Sequence, residues 1–171
     1  MAAIMELILI TRPVLYLYSE CAGYFYKKAF LVKYELEDFS QFNGVSLFIR
    51  GLNKDENIVI IGDASYLVND SSKVVSFGVM LDKENNKVVK IWLYQHEYYI
   101  IADTVKLQQL AQTFMKYEIP RLNVDKEGNV FVYLKNFETL AFARFVDNSE
   151  FFKRYHKAWE NIKGNWYKPK S

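Results

Sequence analysis

Apolar positions along the chain follow two regimes, short blocks of strand length and runs at helical spacing. Val45 to Arg50 and Asn57 to Ile61 are blocks punctuated by Gly51 and Gly62, the signature of short buried strands. Lys73 to Leu81 and Lys87 to Tyr94 flank Asp82-Lys83-Glu84-Asn85-Asn86, and polar turn chemistry between two such runs predicts a β-hairpin. Glu97 to Ala102 predicts a further strand. Asp103-Thr104 then supplies an N-cap, and Val105, Leu107, Leu110, Ala111 and Phe114 recur at helical spacing, predicting a helix to about Tyr117, ahead of Pro120. The order recurs: a turn at Lys126-Glu127-Gly128, strands over Asn129 to Lys135 and Thr139 to Phe145, and an Asp147-Asn148-Ser149 cap. A second helix is predicted there, with Phe151, Phe152, Tyr155, Trp159 and Ile162 as its apolar stripe. Only architecture recurs between the two units. Ahead of residue 40 the pattern is ambiguous. Ala2 to Thr11 suits a strand or a short helix. Val14 to Tyr18 and Tyr24 to Tyr34 favour strands, with helix as the alternative over 14–34.

The expected fold is a single α+β domain over 1–171, mainly antiparallel sheet with flanking helices. Its 171 residues suffice to bury about 70% of the unfolded chain's surface without a metal or disulfide staple. Residues 1–40 remain unassigned, and 126–163 form a strand–strand–helix extension. The 13 Tyr, 13 Phe and 3 Trp weigh toward a sheet-rich core, with a contact surface as the second use of such rings. The single cysteine, Cys21, excludes an intramolecular disulfide and fits a reducing compartment. Glu6 and Arg12-Pro13 break the signal-peptide pattern in the apolar start, and no apolar run reaches the roughly 20 residues a membrane span needs. A cytoplasmic protein is expected.

Charge changes the picture more than composition does. The net charge of +2 conceals a middle segment, 35–103, with eleven acidic and six basic residues, and a final segment, 104–171, with twelve basic and seven acidic. Opposed halves argue against a general nucleic-acid binder, which shows one dominant basic field, and permit a bipolar surface that orients a charged protein partner. The acidic residues fall on predicted strand connections: Glu35, Glu37 and Asp38 before the sheet, Asp55, Glu56, Asp63 and Asp70 in its loops, Asp82 and Glu84 in its hairpin. Together with Tyr66 they are the candidate partner-binding residues, although each acidic residue alone reads as solvated loop surface.

Catalytic constellations are sparse. The histidines are His96 and His156; His96 and Glu97 point to opposite faces of a strand and so cannot share a metal without a bend. Glycines form neither a phosphate loop nor a nucleophile elbow. No catalytic residue, cofactor or metal is expected. Two rivals stay open: a small-molecule enzyme of unrecognised type gathering a histidine with carboxylates, and a nucleic-acid-binding regulator using Lys153, Arg154, Lys157, Lys163, Lys168 and Lys170.

Several landmarks occur in a recognisable order. Asn43-Gly44 precedes the first clear strand, Ile61-Gly62-Asp63 ends the second, Leu81-Asp82 leads through a turn into Val88-Val89, and Asp103-Thr104 opens an apolar helix. Asp147 with Phe152 and Trp159 follows. This order resembles the SUKH superfamily of bacterial immunity proteins over 43–117 and 145–163. The chain departs from that pattern in carrying Asn85-Asn86 where the hairpin turn has glycine, and in lacking the serine usual at the helix cap. The resemblance implies an antiparallel sheet with flanking helices. It also implies stoichiometric neutralisation of a basic protein toxin, a nuclease or deaminase, with the acidic face imitating nucleic-acid charge.

Overall fold

The structure, a computed structural model, describes residues 26–52, 56–63, 75–94, 102–134 and 138–170. The stretches Ala2 to Thr11 and Val14 to Tyr18, Cys21, and all but Ala102 of the strand expected at 97–102 lie outside the described residues. The chain divides into two compact units, residues 1–37 and 38–171. In the first, residues 26–34 form helix α1, where strand was the favoured expectation. Phe30 and Tyr34, one turn apart, are buried with ring centroids 4.8 Å apart. The i,i+4 aromatic pair thus outweighs the strand preference of its members.

The second unit holds a nine-stranded sheet. A single 3-10 turn, Ser40–Phe42, leads into β1 (Val45–Leu52), β2 (Glu56–Gly62), β3 (Ser76–Asp82) and β4 (Val88–Tyr94). Helix α2 (Thr104–Met115) follows, then β5 (Arg121–Val124), β6 (Val130–Tyr133) and β7 (Leu140–Arg144). Helix α3 (Glu150–Tyr155), a 3-10 turn at His156–Ala158, and strands β8 (Trp159–Lys163) and β9 (Trp166–Pro169) complete it. The spatial order is β4-β3-β2-β1-β5-β6-β7-β9-β8, with every pairing antiparallel. The chain is therefore α+β and mainly antiparallel sheet, as expected. Among the described residues no helix is long and apolar enough to cross a membrane.

Directly opposed residues share a face, so the register defines two faces. Val45 and Leu47 on β1 lie level with Leu122 and Val124 on β5, and Leu47 with Ile61 on β2. Val59, Phe77, Val79, Leu81, Val130, Val132, Phe142 and Trp166 extend this buried face across the sheet. Helix α2 packs against β2, β3 and β4, burying Leu107, Leu110, Ala111 and Phe114, while Val105 is 65% exposed. Its Asp103 cap accepts from the Lys106 amide as the sequence predicts. Past β5, Phe39 lies tilted against Tyr117 and meets Trp166 edge-on, and the Arg144 guanidinium lies 5.0 Å from the Phe39 ring and 5.6 Å from the Trp166 ring.

The second predicted helix is corrected. It is helical only over Glu150–Tyr155, and Trp159 and Ile162 belong to strand β8. Gly164, at φ 53°, adopts the left-handed turn that reverses the chain into β9, and Asn161 Nδ2 donates to its carbonyl at 2.7 Å. Strand β9 then fills the free edge of β7. Tyr155 and Ile162 are exposed, whereas Phe151, Phe152 and Trp159 pack around Phe145. Strand β5 was not expected. It follows Pro120, whose carbonyl accepts from the Ile49 amide at 3.0 Å.

Trp166 is 1% exposed, and Trp159 is half-buried on an outer strand. Trp166→Ala is expected to lower the unfolding free energy by about 3–5 kcal/mol, and Trp159→Ala by at least about 1 kcal/mol less, read from denaturant midpoints. A reversed order would place the hydrophobic weight of the C-terminal hairpin elsewhere. Asn57 is buried opposite Leu81, and its Oδ1 has no hydrogen-bond partner among the described residues. Asn57→Leu removes an unsatisfied polar group from a site of similar volume, so stability is expected to rise by about 1–2 kcal/mol. A fall in melting temperature would contradict that account.

Candidate interaction surface

The other face of the sheet is built from a different set of residues. One cross-strand row runs Trp92, Gly78, Ile60, Phe48, Arg121, Tyr133, each opposed to the next. Trp92, Phe48, Arg121 and Tyr133 are half-exposed. The Trp92 indole lies over Gly78, where a Cβ would overlap ring atoms Cε2 and Cζ2; glycine is required there so that the ring can lie flat. The Arg121 guanidinium sits 4.8 Å from the Tyr133 ring. Exposed Arg50 reaches from β1 to within 5.1 Å of the Tyr94 ring on β4, across the two intervening strands. That contact needs the sheet to curl over this face.

A second row begins at Gly62 and runs through Ser46, Asn123, Phe131 and Ala143 to Tyr167. Small residues at Gly62 and Ser46 leave room above the strands, with Ser76 Oγ 3.6 Å from the place of a Cβ on Gly62. Toward Tyr167 the row is covered by aromatic packing from α3, whose Phe151 stands edge-on to Phe131 with centroids 5.2 Å apart. The exposed part of the face therefore spans β4 to β6.

The sequence-predicted acidic residues do not form one patch. Glu56 and Asp82 are directly opposed on β2 and β3, with Glu84 in the adjoining turn, whereas Asp63 follows the opposite end of β2. Both acidic ends border the aromatic rows. Asp82 is also committed to the turn, its Oδ1 accepting from the amides of Glu84 and Asn85 at 3.1 and 3.0 Å. Asn86, at φ 56°, takes the left-handed position that glycine was expected to occupy. Asn86 Nδ2 donates to the Gln112 carbonyl at 3.2 Å, and Gln112 Nε2 returns a bond to the Asn86 carbonyl at 2.8 Å, fastening the hairpin tip to α2. Glu35 and Glu37 belong to the first unit and Asp38 to the second. Asp55, Tyr66 and Asp70 lie outside the described residues, as do His96 and Glu97.

His156 is exposed in the 3-10 turn after α3, its Nδ1 3.1 Å from the Lys153 carbonyl. Among the described residues no group of three or more His, Cys, Asp or Glu side chains could hold a metal ion. The surface thus offers side chains suited to adhesion: rings, guanidinium groups and a carboxylate border. Its Arg–Trp–Tyr content is that of residues that dominate binding energy in protein interfaces. Sequence reading missed Phe48, Arg50, Arg121 and Tyr133. They come from three strands and meet only through register.

No family model matches the chain, no curated protein matches it, and no solved structure matches its fold.

The Asp38 carboxyl has a lowered proton affinity. Its Oδ1 accepts from the Ser40 amide at 2.9 Å and its Oδ2 from the Ser40 hydroxyl at 3.0 Å. These bonds to the ionised form, with a lesser contribution from Arg144, hold its pKa below the ordinary 3.8. A depressed folded-state pKa contributes stability that is present above the unfolded value and is lost as pH falls through the folded value. NMR titration of the Asp38 carboxyl carbon should give a midpoint below 3.8, moving upward in Ser40→Ala. An unshifted midpoint in the wild-type chain would show that this turn is open in solution.

Proposed function

We propose that this chain is a binding protein of the immunity or antitoxin kind, which engages a protein toxin stoichiometrically through the curled, aromatic and arginine-bearing face of its sheet. The observation that carries the reading is the half-exposed row of Trp92, Phe48, Arg121 and Tyr133, with Arg50 over Tyr94 beside it. Rigid rings on a hydrogen-bonded sheet bury large area at little entropic cost, which is what a tight inhibitor needs. The carboxylates Glu56 and Asp82 at one end of β2 and Asp63 past the other flank the row on its two sides and would steer a basic partner toward it.

The SUKH-like order of landmarks supports the same reading. Asn43-Gly44 directly precedes β1, Ile61-Gly62-Asp63 closes β2, Leu81-Asp82 and Val88-Val89 bound the β3–β4 hairpin, and Asp103-Thr104 opens α2. Trp159 departs from it, standing on a strand where the resemblance assigns a helix. The reaction class of the toxin, nuclease or deaminase, follows from the resemblance alone, and a basic substrate cleft would answer to the acidic border. A cytoplasmic site of action belongs to the same proposal.

The test is isolation of a stoichiometric complex with one protein whose toxicity the chain abolishes, followed by binding kinetics. Arg50→Ala and Tyr94→Ala are each expected to weaken binding by about 30-fold, in the range of interface hot spots, with the melting temperature little changed. Combined Glu56→Lys and Asp63→Lys should slow association about tenfold at low salt, an effect that fades as added salt shortens the Debye length. Equal affinity of wild type and both truncations would overturn the surface assignment. Tight binding of a single-stranded oligonucleotide with no protein partner would overturn the immunity reading and favour stacking on the aromatic row.

A further inference from the structure

At the mid-sheet end of the second row, four adjacent strands open a cleft of about 340 Å³ whose lining includes Ser46, Asp63, Asn123, Asp125, Lys126 and Phe131. We infer that this cleft is a recognition site for a carboxamide, a peptide group or an Asn or Gln side chain, carried by a protein partner. The source of the carboxamide rests on the binding-protein reading; the chemistry of the cleft does not.

The polarity of the cleft is fixed by an argument from donors. An arginine Nε–H can only donate, so the Asn123 atom 3.1 Å from Arg121 Nε is the carbonyl Oδ1. Ser46 Oγ lies 2.6 Å from that same oxygen and must donate its own hydrogen to it. The Asn123 carbonyl is thereby saturated. Two groups are left over: acceptor lone pairs on Ser46 Oγ, and both N–H donors of Asn123 Nδ2, which have no partner among the described residues. An adjacent acceptor and donor pair is the complement of an amide, whose N–H meets Ser46 and whose C=O meets Asn123. An ion satisfies only one of the two. The lining carries Asp63 and Asp125 against Lys126, and both Asp125 oxygens are already engaged by the β5–β6 turn, so the cleft gives an anion no net attraction, and the open donor and acceptor beside Phe131 suit a neutral dipolar group.

The walls are held in place before anything binds. Asp125 Oδ1 accepts from the amides of Glu127 and Asn129 at 2.9 and 2.8 Å, closing the β5–β6 turn that carries Lys126. Asn129 is fully buried and satisfied on both ends, donating to Asp125 Oδ2 at 2.8 Å and accepting from the Val146 amide at 2.9 Å. Phe131 is wedged edge-on against Phe145 and Phe151, leaving a half-exposed ring as the apolar wall. A carboxamide attached to a flat apolar body would use every feature at once.

Benzamide is therefore the probe, with benzoate and benzylamine as charged counterparts of the same shape. In ¹⁵N–¹H spectra of the full chain, benzamide at millimolar concentration is expected to shift the Asn123 side-chain amide and the Gly44 and Ser46 backbone amides saturably. The charged pair should bind more weakly. Ser46→Ala should weaken benzamide binding about three- to tenfold, the scale of one hydrogen bond. Asn123→Leu should abolish the response; should that variant misfold, Ser46→Ala carries the test alone. Absence of saturable shifts, an unchanged affinity in Ser46→Ala, or tighter binding of benzoate or benzylamine would each overturn the assignment. Because this titration needs no partner, its failure concerns the cleft alone, whereas failure to find any protein partner removes only the protein source of the amide.

Discussion

Strand β1 joins the two halves of the sheet, and its register is the constraint on which the rest depends. It is hydrogen-bonded to β2 along one side and to β5 along the other, so Ser46, Leu47 and Phe48 are each opposed twice. Leu47 stands between Ile61 and Leu122, and Ser46 between Gly62 and Asn123. A slip of one residue on either side would turn the leucine outward and the serine inward, with every neighbour following. The same register that closes the apolar face aligns Phe48 with Arg121 on the other. The buried face and the open face are two readings of one alignment.

The chain reaches this arrangement by an indirect route. Strands β1 to β4 walk outward to one edge, and α2 carries the chain back along the buried face to place β5 beside β1. From there the strands walk outward again until β9 inserts between β7 and β8. Arginine takes part in both faces. Arg144 lies against Phe39 and Trp166 among the core rings, and Arg121 against Tyr133 on the open side. A flat guanidinium can stack on a ring with its in-plane donors still available, which lets one residue type serve as filler and as anchor.

Local signals that were strong in the sequence survive folding. The Asp82 bonds that shape the turn between β3 and β4 and the Asp103 cap are local, each made to amides within a few residues. Strand β5 was invisible because four residues, alternating Leu122 and Val124 with Arg121 and Asn123, are too few to establish a period. The C-terminal hairpin was misread because Trp159 and Ile162 fit helical spacing, while Gly164-Asn165, the turn that separates β8 from β9, lay just beyond the stripe. Charge counting grouped acidic residues that the strands then separate. Glu56 and Asp63 are close in sequence, yet seven residues of strand place them about 23 Å apart at roughly 3.3 Å per residue. The aromatic row was beyond reach as a row because its members are gathered from six strands by pairing.

The reciprocal bonds between Asn86 and Gln112 bear on how this molecule would meet another. A hairpin tip that projects freely samples many shapes, and a complex that requires one of them pays for the others in lost conformational freedom. Here the tip is tethered to a helix that is itself seated on three strands, so its carboxylates travel with the body of the sheet. Encounter then selects among orientations of a nearly fixed object, and the barrier to association is rotational alignment, which electrostatic attraction lowers, while little waits on a loop finding its conformation.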